Sequence, residues 1–170
     1  MEVMHKLRLL SLAFIVVFTT LFATACSGDR IIIGIIEPDL ADGTQASRDA
    51  FVLALKDAGF KAGENVQFQR RNGEFRKNES NDDFAKYLVE KRHVEYFFVM
   101  SPEALEAAGK AANGRPIVYA FVASAVNRPP NAVGYIQPPA TTLDFRALGT
   151  IGGKMMVQVL NGTPLAEVHP

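Results

Sequence analysis

The residues best placed to do chemistry in this chain are few and lie in short polar breaks. Glu37 and Asp39 flank Pro38 directly after the run Ile31–Ile36. Carboxylates at such a break can accept hydrogen bonds from an amine or from hydroxyls, or simply face water in a turn. Ser101 precedes Pro102-Glu103, a pattern that predicts a helix start with serine at the cap and proline in the first turn. Free N–H groups and the helix dipole at such a place attract a carboxylate or phosphate. The other reading is a plain cap whose hydroxyl serves its own helix. Ser124, just past the apolar PIVYAFV, is a weaker site of the same kind. The cation-rich RRNGEFRKN at 70–78 reads as a solvated loop rather than an anion site.

Larger catalytic signatures fail one by one. A dinucleotide site wants G-x-G-x-x-G after the first strand, and the turn here reads EPDLADG. No G-x-x-x-x-G-K-[ST] phosphate loop and no G-x-S-x-G nucleophile turn occurs. A phosphoacceptor domain would place an aspartate after the third strand, where Met100-Ser101 stand. His93 lies before a strand, away from the face that carries the polar breaks, and His169 is next to the last residue. Both read as surface residues rather than general bases. With Cys26 as the lone cysteine and no histidine cluster, the pattern predicts no transition-metal site, no catalytic residue and no cofactor.

The elements that must position these residues follow from periodicity. Five isoleucines and Gly34 in Ile31–Ile36 are apolar on both faces, as the centre of a parallel sheet demands. Ala46, Ala50, Phe51, Ala54, Leu55 and Ala58 recur at helical spacing, with Thr44 as the expected cap and Gly59 as the stop. Residues 64–71 alternate Val66, Phe68 and Arg70 with Gln67 and Gln69, which predicts a half-exposed strand near a sheet edge. Ser80 to Asp83 opens a helix with Phe84, Tyr87 and Leu88 facing inward. Further strands are expected at 94–100, 116–122 and 132–136. A helix is expected from Ser101 to Ala112 and a last one from about Thr142, with a short strand at 164–168. This alternation predicts an α/β fold, a single doubly wound lobe with a mostly parallel sheet of five or six strands and helices on both faces. In open sheets of that kind, ligands bind at the carboxyl ends of the strands.

The N-terminus reads as an address. Lys6 and Arg8 precede an apolar run from Leu9 to Ala23, and small residues lead to Ala25-Cys26. That is the layout of a secretory signal, too short for a comfortable membrane span. The ending FATAC resembles a bacterial lipobox, in which the cysteine is acylated (a palmitate-type anchor) and becomes the new N-terminus. Ordinary cleavage nearby, leaving Cys26 a free thiol, or an uncleaved anchor is the other reading. The lipoprotein resemblance implies that Ser27, after the cysteine, would favour the outer membrane in a cell that has two. The expected division is a signal peptide at 1–25, a lipid-anchored linker at 26–30 and the lobe at 31–170. Cleavage removes Glu2, Lys6 and Arg8 and leaves acids and bases nearly balanced, with no basic footprint for nucleic acid.

The string FVLALKDAGFKAGENVQFQRRNGE resembles the opening of bacterial ABC-transporter substrate-binding lipoproteins. VEYFFVMSPEALEAAGKAANGRPIVYAFVAS resembles their third strand, Ser/Thr-Pro helix and fourth strand. GYIQPPATTLDFRALGTIGGKMMVQVLNGTPL resembles the segment of lac-repressor-like sugar-binding domains that returns from a second lobe to the first. The resemblance implies a periplasmic-binding-protein type I first lobe without its partner lobe. It implies an amino-acid-like or related small solute, held by Glu37, Asp39, Ser101 and Ser124, with Cys26 lipidated on the periplasmic face of the envelope. Implied partners are an ABC permease or a second lobe-bearing subunit. The competing expectation is an envelope lipoprotein that keeps the lobe as a protein-interaction module and exposes an apolar patch where the second lobe would pack.

Overall fold

The computed structural model describes residues 30–38, 42–71, 80–123, 127–138, 142 and 144–170. Cys26, Asp39, Ser124 and the whole of residues 1–29 lie outside them. Strands β1 (Ile31–Ile36), β2 (Val66–Arg71), β3 (Tyr96–Val99), β4 (Ile117–Val122) and β5 (Ala132–Gln137) form one sheet. Their order is β2-β1-β3-β4-β5, and every pairing is parallel. Helices α1 (Asp42–Asp57), α2 (Asn81–Arg92), α3 (Pro102–Ala111) and α4 (Phe145–Leu160) cover both faces. The isoleucine strand sits between β2 and β3, and β2 is at the edge, as the sequence pattern requires.

Strand alternation sorts the core into two layers. Ile33, Ile35, Phe98 and Val118 face α1 and α4, where they meet Phe51, Leu55, Leu148 and Met155. Ile36, Phe97, Val99 and Ile117 face α2 and α3 and meet Leu88 and Leu105. Phe51 lies flat on Phe98, with ring centroids 3.9 Å apart and planes 5° from parallel. That stack fixes α1 over the centre of the sheet.

The helix ends obey local chemistry. Ser80 and Asp83 form a reciprocal capping box at the start of α2, which ends at His93 in the left-handed region, φ 53°. His93 is exposed there. Two expected starts move. Helix α1 begins at Asp42, so Thr44 sits inside its first turn instead of capping it. Helix α4 begins at Phe145 because the Asp144 carboxylate accepts the Ala147 N–H at 2.8 Å. Thr142 is used otherwise, its carbonyl accepting from Gln137 Nε2 at 2.6 Å. The expected last strand is a 3-10 turn, Leu165–Glu167. Gln158 holds the chain after it, donating to the His169 carbonyl at 2.7 Å and accepting from the His169 N–H at 3.2 Å.

Two close approaches shape the lobe. Residues 123–131 carry the chain from β4 back to the start of parallel β5, with no helix among the described ones. This is shorter than the dozen or more residues such a crossover usually needs. Pro129 passes over α3 at Gly109, where a Cβ would stand 2.5 Å from the proline ring. Helices α1 and α4 meet backbone to backbone. A Cβ on Gly149 would overlap the Ser47 carbonyl oxygen, and one on Gly153 would lie 2.6 Å from Ala54 Cβ. Backbone cannot step aside as a flexible side chain can. Gly149→Ala should therefore cost about 3 kcal/mol of unfolding free energy, towards the upper end for overpacking, read as a lowered urea midpoint.

Candidate functional site

Because every strand is parallel, all five carboxyl ends open on one edge of the sheet, and the helices that follow them begin there. A cavity of about 320 Å³ lies at that edge. Its rim is made by Pro38 after β1, Thr44 in the first turn of α1, Ser101 and Pro102 at the start of α3, and Phe145 at the start of α4. Ser47 and Leu148 lie about 4.5 Å deeper along their helices, one turn in from Thr44 and Phe145. Met100 and Ala120 complete the inner wall. Gly43 lets the Phe145 ring lie against the α1 backbone, since a Cβ there would enter the ring.

Ser101 is 7% exposed and lines this cavity. Its Oγ accepts the Ala104 N–H at 3.1 Å, so the capping reading of Ser101 holds. A hydroxyl is also a donor, and capping uses only its acceptor side. The two readings of Ser101 are therefore compatible.

Glu37 differs from its sequence-based expectation. Its side chain is fully buried and faces Arg48, whose Nη1 lies 3.3 and 3.4 Å from the two carboxylate oxygens. It is not among the residues that line the cavity. Arg48 also donates to Asp49 at 3.0 and 3.1 Å. A carboxylate at the end of a buried strand requires a cation, and α1 brings Arg48 over it. Burial pushes the Glu37 carboxyl above its ordinary value, outweighing the opposing pull of Arg48. Asp39, Ser124 and Cys26 lie outside the described residues. Among those described, no group of three or more His, Cys, Asp or Glu side chains is arranged to hold a metal.

Sequence reasoning missed Arg48, Thr44, Ser47 and Phe145. Ser47 had a signal. It sits one turn before Phe51 on the core-facing side of α1, where a polar residue needs a reason. Arg48 had none, because its partner stands on a different element.

No family model matches the chain, and no curated protein sequence is significantly similar to it. Solved structures do match. A ligand-free, open substrate-binding protein with adhesive properties from Clostridium difficile superposes with a TM-score of 0.55 at 20% identity. The match covers 78% of this chain and 44% of that one. The likeness is one of fold. The chain has the α/β architecture of one lobe of a substrate-binding protein and spans less than half of that protein's length. A periplasmic binding protein from Burkholderia mallei also matches, with TM-score 0.44, 14% identity and coverage of 56% and 28% of the two chains. So does a branched-chain amino acid transporter substrate-binding protein from Streptococcus pneumoniae, in complex with isoleucine, with TM-score 0.44, 17% identity and coverage of 62% and 33%.

The buried pair gives a pH prediction with a definite sign. The folded chain holds the Glu37 proton more tightly than the unfolded chain does. Its contribution to stability is thus complete below the ordinary carboxyl value, 4.5, and is lost as pH rises through the raised folded value. Glu37→Gln should flatten the fall in stability that sets in as pH rises above 4.5. Arg48→Met, which strands a buried carboxylate, should cost about 3 kcal/mol near pH 7 and less in acid. Urea unfolding of the three proteins across that range reads both effects.

Proposed function

We propose that this chain is a cell-envelope lipoprotein, not an enzyme, that binds a small solute in the cavity at its strand carboxyl ends. The observation that carries this reading is the pairing of polar rim and apolar wall. Ser101 at a helix N-terminus stands beside Met100, Phe121, Phe145 and Leu148 in a recess of about 320 Å³, within the usual size of small-ligand pockets. The Ser101 O–H and the positive end of α3 suit a carboxylate, and the apolar wall suits a short hydrocarbon body. An amino-acid-like solute or a related carboxylate has both parts. The remaining ligand contacts assigned to this reading are Asp39 and Ser124, which adjoin the same edge in sequence.

Compartment and partners belong to the same proposal. The signal-like residues 1–25 direct export, Cys26 carries the lipid, residues 26–30 tether the lobe of residues 31–170, and the site faces the periplasm. An ABC permease, or a second lobe-bearing subunit that closes over the recess, would complete transport. One observation favours a second reading, in which the lobe is a protein-interaction module. Phe145, at the rim, is 37% exposed, and a partner docked on this edge would cover it.

Thermal unfolding of the purified protein against millimolar amino acids and short carboxylates separates the two. A solute at about 100 times its dissociation constant should add roughly 2.7 kcal/mol, which is about 5–10 °C in a domain of this size. Ser101→Gly removes the hydroxyl while costing the cap only a few tenths of a kcal/mol, and should abolish the shift. A flat response from the folded protein rejects the solute reading in favour of a protein partner.

A further inference from the structure

Ser47 carries information that the rim residues do not. It is 4% exposed and lines the inner part of the cavity. Its hydroxyl forms no hydrogen bond with any described residue. Among the described residues, every fully enclosed side-chain polar atom has a partner, so the Ser47 oxygen keeps open space beside it, in the recess it lines. Helix interiors usually quiet a serine by turning its hydroxyl onto the carbonyl one turn back, and Ser47 does not do this. Water can satisfy that hydroxyl in the empty recess, and a solute that displaces the water without replacing its hydrogen bond loses free energy.

The surroundings restrict what that group is. Leu148, Met100 and Ala120 form the inner wall with Ser47, and none brings a charge. An ion placed there would lose its hydration and gain only one hydroxyl, which is strongly unfavourable. A neutral donor or acceptor loses far less and recovers a hydrogen bond. The rim offers the N-terminus of α3 to an anionic group.

Resting on the solute-binding reading above, we infer that Ser47 determines specificity, selecting a small carboxylate whose apolar body ends in a neutral hydroxyl at the cavity floor. A solute of the same length without the hydroxyl fills the same space but leaves Ser47 unpaired. Selection works through that penalty, because an unsatisfied buried polar group discriminates more sharply than added apolar contact.

The test uses hexanoate and its ω-hydroxy derivative as matched probes, titrated into the full chain by calorimetry. Amide shifts of Thr44, Ser47 and Phe145 report where each probe sits. The hydroxylated probe should bind about tenfold more tightly. Ser47→Ala should erase that preference by tightening hexanoate, since the penalty goes with the hydroxyl. This variant keeps the backbone carbonyl that packs on Gly149 and places a good helix former in α1, so it folds. Equal binding of both probes, or a preference that survives Ser47→Ala, overturns the role of Ser47 and leaves the solute site standing. Shifts confined to other surfaces, or no binding of either probe, overturn the site and the selectivity together.

Discussion

Direct contact between two helix backbones organises this lobe. Gly149 and Gly153 let α4 settle onto α1 until main chain meets main chain at Ser47 and Phe51. At that separation Phe51 is pressed flat on Phe98, and Met155 and Leu148 close over the isoleucine face of β1. The cavity depends on the same contact. Its width near α1 and α4 is set by how far apart the two helix N-termini lie, and the Phe145 ring resting on Gly43 fixes that distance at the rim. A bulkier residue at any of these glycines would open the core and distort the recess at once.

Charge at the strand ends is handled differently from what a row of acidic residues suggests. Glu37 is spent on Arg48, beneath the surface, and the pair neutralises itself there. The described walls of the recess are then apolar side chains and hydroxyls, with selectivity left to hydrogen bonds and to the dipoles of helices that start at the rim. This separation is economical. A buried ion pair fixes α1 relative to β1, while hydroxyls that remain available face the opening.

Much of the fold is legible in the sequence because its signals are local. The isoleucine run, the Ser80 capping box, the Ser101-Pro102 start and the alternation at Val66–Arg71 each act within a few residues, and each element forms where that chemistry points. The departures share a setting. At both Thr44 and 164–168, residues far along the chain lie against the neighbouring backbone: Phe145 against Gly43, and Gln158 on His169. The site is less legible than the fold for the same reason. Ser101 could be read from its own helix start. The partner of Glu37 and the exposure of the Ser47 hydroxyl depend on how α1 lies on the sheet, which no local pattern encodes.

The joint between α1 and α4 also dictates the order in which the lobe can be built. Its two halves come from opposite ends of the described chain, and the layer that holds Ile33, Ile35 and Phe98 is completed only by the later one. A growing or newly released chain can pair β1 with β2 and β3 and lay α1 on them, but that face stays only partly covered until Phe145–Leu160 arrives. Contacts so remote along the chain form slowly, and sheet left bare in the interval is prone to stick to other chains. Helper proteins that shield apolar strands would act in that interval, and cutting the chain before α4 would leave a permanently half-dressed sheet.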